Sequence, residues 1–378
     1  MPRRLLMNFF TLLVILHLYI GWRLLPALSL APAGLVLGVL LLSSVVLVRT
    51  GLGAAGLQRS RWSDQLAWAG VLAMGYFSSL LVLTVVRDAM LLMLALIGQG
   101  SAAVTHISAL VVPLLALAVT LIGLVNARRL ARVVEVEVPI SGLPPSFDGY
   151  TIAQISDVHV GPTIRRGYLN AIVTKVNGLR PDAIAITGDL VDGSVRRLAL
   201  HTAPLGRLAA PDGVFFVTGN HEYYSGADEW IAEMRRLGLT VLINEHVLRT
   251  RGADALMIAG VPDFMAHHFN PAHRSDPAAA AAGAGPIVKV KVLLAHQPRS
   301  AEAGAAAGFD LQLSGHTHGG QFFPWNLFVP LQQPFTAGLN RLGSLWVYTS
   351  RGTGYWGPPK RFGAPSEITL VRLVPAAP

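Results

Sequence analysis

Side chains able to bind metal recur in short blocks between residues 157 and 318 of this 378-residue chain. The blocks are Asp157-Val158-His159, Gly188-Asp189-Leu190-Val191-Asp192, Gly219-Asn220-His221-Glu222, a single His296, and Gly315-His316-Thr317-His318. Asp157, Asp189, Asn220, His159, His296, His316 and His318 offer seven nitrogen and oxygen donors, with His221 in addition. Such donors without thiolate suit Mn²⁺, Fe²⁺ or Fe³⁺, Zn²⁺, Co²⁺ or Ni²⁺, and seven are too many for one tetrahedral catalytic zinc, which uses three. Two divalent ions sharing a carboxylate account for the number. Residues two apart on extended chain project the same way, so the pairs Asp157/His159 and His316/His318 can each face one cluster. Glycines at 188, 219 and 315 would let the backbone turn tightly there.

The elements that must carry these donors are strands. Runs of strand type cover 151–156, 183–187, 214–218, 287–295 and 311–314, and each leads directly into one of the blocks. Ligand sites in α/β sheets form beyond the carboxyl ends of strands, so five segments would deliver their donors to one rim. Further strand-like runs lie at 133–138, 240–243, 256–259, 345–349 and 367–372, with helical patterns at 168–179 and 228–237. Residues 133–378 therefore read as one α/β domain of about ten strands. The alanine- and glycine-rich stretch 276–286 reads as a loop.

Composition sets the first third apart. The chain is 13% charged and 52% hydrophobic, has no cysteine, and carries a formal charge of +9, with a mean hydropathy of +0.49. A soluble globular protein is roughly 25% charged, so part of this chain belongs in lipid. The absence of cysteine excludes a disulfide framework. Four spans are expected, at 5–22, 24–48, 66–86 and 107–126, where about 20 apolar residues cross a hydrocarbon layer. Residues 89–98 are too short to cross and read as an extension of the third helix or an interfacial segment. Ten of the 30 basic residues but only Asp64 and Asp88 of the 21 acidic ones fall within 1–132, a net of +8, leaving +1 for the rest. With the N-terminus inside, Arg3, Arg4, Arg49, Arg59, Arg61, Arg128, Arg129 and Arg132 are cytoplasmic, and Arg23 and Arg87 are outside. The basicity therefore orients helices in a cell membrane, with the α/β domain on the cytoplasmic side, and the nearly neutral second half gives nucleic acid no electrostatic footing.

With all five blocks in order over about residues 148–375, the chain resembles the calcineurin-like metallophosphoesterase family. The stretches Ser314-Gly315-His316-Thr317-His318-Gly319-Gly320-Gln321 and Ser350-Arg351-Gly352-Thr353-Gly354 further resemble its bacterial, membrane-tethered branch, including transmembrane proteins that carry the domain. The resemblance implies a sandwich of two β-sheets flanked by helices. It implies that Asp157, His159 and His318 hold one ion, that Asn220, His296 and His316 hold the second, and that Asp189 bridges them. His221 would serve the leaving group, and Asp192 would orient its neighbours. Two ions so placed lower the pKa of a bridging water and clamp a phosphoryl group during in-line displacement. The implied activity is hydrolysis of phosphomonoester, phosphodiester or pyrophosphate bonds, and the membrane address suggests a lipid-linked substrate. A membrane sensor or transporter with a regulatory metal domain is the alternative reading. Arg299, Arg351 and Tyr223 stand close enough to the blocks to meet a substrate, with ion pairing and core packing as their ordinary alternatives. Tyr224 shares that position, and Tyr355, Trp356 and Phe362 could form an apolar wall near the site or dock on the membrane.

Overall fold

The computed structural model describes residues 3–28, 32–56 and 62–377. The chain divides into two compact units, Met1–Arg128 with Gly357–Phe362, and Arg129–Trp356 with Gly363–Pro378.

In the first unit the apolar runs form four helices, α1 (Arg3–Leu28), α2 (Pro32–Gly56), α3 (Ser63–Leu96) and α4 (Ala102–Arg128). All four are long and apolar enough to cross a membrane. Their packing is that of helices in lipid: Ala67, Gly70, Ala109 and Ala116 are buried, while Leu18, Leu42 and Leu114 stand exposed. Small residues allow close helix approach where no hydrophobic drive exists between helix and solvent. α1 continues through Arg23 to Leu28, past the end expected at residue 22, and residues 29–31 lie outside the described residues. Arg23 stays within α1 because its Nε donates to Asp88 Oδ2 at 2.7 Å, where the Tyr19 hydroxyl also donates at 2.6 Å. Arg87 donates to Ser108 Oγ at 2.9 Å and to the Thr105 carbonyl at 3.0 Å. The charges that suggested a loop are thus neutralised between helices. α3 continues unbroken to Leu96, so residues 89–96 extend the third helix. Arg59 and Arg61 of the charge count lie outside the described residues. The segment Gly357–Phe362 is anchored on α3 and α4: Lys360 Nζ donates to the Gly75 carbonyl and to Ser79 Oγ, and Arg361 N–H to the Gly123 carbonyl.

The second unit contains twelve strands in two six-stranded mixed sheets. The first sheet is built from β1 (Arg132–Ile140), β2 (Thr151–Ile155), β3 (Ala183–Ile186), β4 (Val214–Phe216) and β5 (Thr240–Val241), together with the last strand. The second uses β6 (Glu245–Arg251), β7 (Asp254–Gly260), β8 (Val288–Leu294), β9 (Leu311–Ser314), β10 (Gly338–Leu342) and β11 (Leu345–Thr349). The last strand, β12 (Glu367–Pro375), lies between β1 and β2, giving the order β1-β12-β2-β3-β4-β5, while the second sheet runs β10-β11-β9-β8-β7-β6. Alternation along the strands explains the layers. Ile152, Ala185 and Phe215 of the first sheet meet Leu256, Ile258, Val292 and Leu313 of the second in the main core. The intervening Met257, Ala259 and Leu293 point to the opposite face, where Ala301 and Phe309 cover them. The helix Arg166–Leu179 buries one stripe, Leu169, Ile172, Val173 and Val176. The expected sandwich of two sheets flanked by helices is present, with twelve strands in place of ten.

Candidate metal centre

β2, β3 and β4 are mutually parallel, as are β8 and β9, and the donor blocks follow the carboxyl ends of all five. Three blocks come from one sheet and two from the other. Gln154 ties them together, its Nε2 donating to Thr187 Oγ1 and to the Ser314 carbonyl at 2.9 Å each. The chain is not extended at the donors, so the spacing argument for Asp157/His159 and His316/His318 fails. Asp157, His159, Asp189, His316 and His318 all have left-handed backbones, with φ between 50° and 69°. Asp and His tolerate this region better than most side chains, and strain held at such positions marks functional sites. Of the three glycines, Gly188 alone has positive φ, at 87°. Gly315 serves close approach instead, since a Cβ there would run into Ser156 Oγ and Asp157 Oδ2.

Six of the seven donors converge in two overlapping groups, and the seventh, Asn220, follows the end of β4 next to His221. His318 Nε2 lies 3.1 Å from His159 Nε2 and 3.4 Å from Asp157 Oδ1. His296 Nε2 lies 3.2 Å from His316 Nδ1 and 3.1 Å from Asp189 Oδ2. The same Asp189 oxygen is 3.9 Å from His159 Nε2, which places this carboxylate between the groups. Metal–nitrogen bonds of about 2.0–2.1 Å make ligand-to-ligand edges of about 3.0–3.4 Å, the range seen within each group. Two imidazole nitrogens that close repel unless a proton or cation lies between them. Asn220 is buried, and its Oδ1 makes no hydrogen bond. An orphaned acceptor in a polar cluster is the state expected of a metal ligand. The residues present therefore fit a resident metal group.

Protonation makes the same point. His296 Nδ1 donates to the Thr187 carbonyl at 2.7 Å, leaving Nε2 to face the site. Burial opposes a charge on His296, yet Asp189, Asp157 and Asp263 together raise its pKa well above the usual value. His316 is pushed down to about 3 by burial and by His296. Without metal, a proton thus sits on His296 Nε2, and a cation must displace it. The affinity for Mn²⁺ should therefore rise with pH, approaching roughly tenfold per pH unit while His296 stays protonated. Calorimetry in buffers of different ionisation enthalpy should show one proton released per chain; pH-independent affinity would contradict this protonation state.

The remaining candidates divide. Asp192 Oδ1 accepts from His159 Nδ1 at 3.0 Å and from His221 Nδ1 at 2.6 Å, orienting both rings. Burial works against the charge on Asp192, but the facing His159 and His221 hold its carboxyl below the usual range. His221 Nε2 sits 4.0 Å from Asp189 Oδ2. Burial opposes its charge too, and Asp189, Asp192 and Glu222 raise it to about 9. Tyr223 is buried with its hydroxyl on His273 Nδ1 at 2.8 Å, so it is Tyr224, 63% exposed, whose ring borders His221 at 5.2 Å. Trp356 borders the same ring at 5.6 Å. Arg299 donates to the Gln332 carbonyl at 2.6 Å and lies over the Phe264 ring. Arg351 pairs with buried Glu367 at 2.9 Å. The Arg299 charge reaches the donor His316 and contributes to lowering its pKa. Glu222, to which the sequence reading gave no role, accepts from the backbone N–H groups of Asp189 (2.9 Å), Leu190 (2.7 Å) and Gly219 (2.7 Å). Its signal was the acidic side chain that closes the block Gly219-Asn220-His221-Glu222.

A family model described as calcineurin-like phosphoesterase matches residues 150–320. A protein of Danio rerio named transmembrane protein with metallophosphoesterase domain is 41% identical over 262 residues, covering 66% of this chain and 59% of that one. Its Bos taurus namesake is 42% identical over 282 residues, covering 70% and 63%. The chain thus spans about three fifths of the length of these two relatives. An uncharacterized metallophosphoesterase of Campylobacter jejuni is 35% identical over 314 residues, covering 81% of this chain and 82% of its own length. With four apolar helices ahead of the domain, a cluster of buried His and Asp donors at its strand ends, and a relative matched over most of its length, this chain belongs to the calcineurin-like metallophosphoesterase family.

Proposed function

We propose that the chain is a membrane-anchored phosphoesterase working with two divalent ions. Asp157, His159 and His318 would hold one, Asn220, His296 and His316 the other, and Asp189 would touch both. The observation that carries this reading is the Asp189 carboxylate, placed between two sets of imidazoles at 3.1 and 3.9 Å. When bound, the ions acidify water and neutralise charge on a phosphoryl group. The protein's own contribution is centred on His221. Asp192 holds its Nδ1, so Nε2 is the atom that donates a proton to the departing oxygen. Tyr224 and Trp356 border the His221 ring, and aromatic faces there would shield that proton from water. The substrate we infer is a phosphodiester or pyrophosphate linked to lipid, reached from the cytoplasmic face that the arginine distribution favours.

The test is hydrolysis of bis-p-nitrophenyl phosphate by the full chain in detergent, with Mn²⁺ and with chelator. Activity should require the metal, and absence of turnover with every metal tried would end the proposal. His221→Gln should keep both ions and lose about 10²–10⁴-fold in kcat, the usual range for a proton donor. The loss should be smaller for a nitrophenyl leaving group than for an alkyl one, which needs protonation more. Equal losses on both would argue against the acid role.

A further inference from the structure

The surface of the second unit is uneven in one place. Eleven large hydrophobic side chains are exposed there, and five of them, Phe323, Trp325, Leu327, Phe328 and Leu331, fall within nine consecutive residues. No charged residue occurs anywhere between Gln321 and Asn340. Phe323, Leu327, Phe328 and Leu331 are between 52% and 80% exposed. A cluster of this kind is costly in water and marks an interaction surface.

We infer that this loop is a docking surface for the lipid bilayer. Three observations commit it to that occupant. The chain carries four helices fit to cross a membrane, so a bilayer is always present at high local concentration. Only residues 129–131 separate α4 from β1, which is about 10 Å of extended chain. The exposed set also combines aromatic and aliphatic side chains without charge, the composition that enters the boundary between headgroups and acyl chains. The loop is fastened to the metal centre at both ends. Before it, Gln321 Nε2 donates to the Trp356 carbonyl and Gln321 Oε1 accepts the Trp356 N–H, each at 2.8 Å. After it, the Thr336 carbonyl accepts from Thr317 Oγ1 at 2.6 Å, between the donors His316 and His318. A loop seated in lipid would therefore hold the donor-bearing turn at headgroup level, where phosphodiesters lie. That consequence rests on the phosphoesterase reading; the docking itself does not.

The chain has no cysteine, so single labels can be placed at will. Phe328→Cys and Leu200→Cys, the latter 77% exposed and outside the loop, would each carry an environment-sensitive fluorophore. The full-length protein is reconstituted in phosphatidylethanolamine–phosphatidylglycerol vesicles with and without nitroxide-labelled lipid. We expect the label at 328 to be quenched by nitroxide lipid and shielded from aqueous iodide, and the label at 200 to behave in the opposite way. Equal access of iodide to both overturns the proposal. Shielding at 328 without nitroxide quenching also overturns it, and assigns the surface to a second copy of the chain. In parallel, the double variant Phe328→Glu, Leu331→Glu should raise the apparent KM roughly tenfold or more for a phosphodiester embedded in vesicles, given the apolar burial removed, while hydrolysing soluble bis-p-nitrophenyl phosphate as before. If the parent hydrolyses neither substrate, the phosphoesterase reading falls and the labelling result still decides the docking.

Discussion

Asp189→Ala should empty both metal positions and lower hydrolysis on the order of a thousandfold or more, since even groups that only orient a ligand cost about 10–100-fold when lost. Two effects combine. The carboxylate between His159 and His296 disappears, and the His221 N–H loses its acceptor, Asp189 Oδ1 at 2.8 Å. Alanine also fits poorly at φ 50°. Asp189→Asn separates these causes, because asparagine tolerates the left-handed backbone and keeps an acceptor for His221 while removing the charge. Metal analysis should show Asp189→Asn nearly as depleted as Asp189→Ala, with a melting temperature closer to that of the parent. An Asp189→Ala protein that retained two tightly bound ions and full turnover would show that this carboxylate is not shared.

Glu222→Ala should be the most damaging change at a residue assigned no metal. Its carboxylate gathers the N–H groups of Asp189, Leu190 and Gly219, joining the turn after β3 to the turn after β4. Each buried donor left unpaired costs about 1–3 kcal/mol, so three of them consume a large part of a typical stability of about 5–15 kcal/mol. The thermal midpoint should fall by roughly 10 °C or more, at about 2–4 °C per kcal/mol for a domain of this size. Glu222→Gln keeps the shape and one acceptor oxygen, and should fall about halfway between. A Glu222→Ala protein that melted with the parent and bound metal normally would remove the bracing role.

Much of the site was legible because its chemistry lies in residue types that have no other reason to follow strand after strand. Six of the seven donors, His221 and Asp192 are brought together in the structure, and Asn220 is buried with its Oδ1 unbonded. What the sequence hid was conformation. The alternation in Asp157-Val158-His159 suggested extended chain, and in the left-handed turns that replace it the Asp157 and His159 N–H groups donate to the Gly188 and Asp189 carbonyls, partners about 30 residues away in sequence. Tyr223 and Tyr224 were indistinguishable until the turn assigned one to the core and the other to the site. The two strands missed, β6 and β10, are the two edges of the second sheet. Edge strands carry polar and charged residues to discourage further pairing, and Arg249, Arg251, Asn340 and Arg341 broke the apolar pattern on which recognition depended. In the helices, Arg23 looked like a loop because its partner Asp88 lies 65 residues away in sequence. The loop at 323–331 passed unnoticed for the opposite reason, since a short apolar run reads the same whether it is buried or exposed.

The position of β12 has a consequence for synthesis. Its neighbours β1 and β2 are complete by residue 155, but the strand that fills the space between them begins only at residue 367. At about 5–20 residues per second, translation leaves that gap open for roughly 10–40 s. The four helices are made first and can enter the membrane during this interval, while the nascent domain waits beside it with two unfilled strand edges. Insertion and folding are thus separated in time by the order of the chain. A ribosome that stops short of residue 367 leaves a molecule that is anchored but lacks the strand joining β1 to β2, so a closed sheet certifies that translation has reached its last strand.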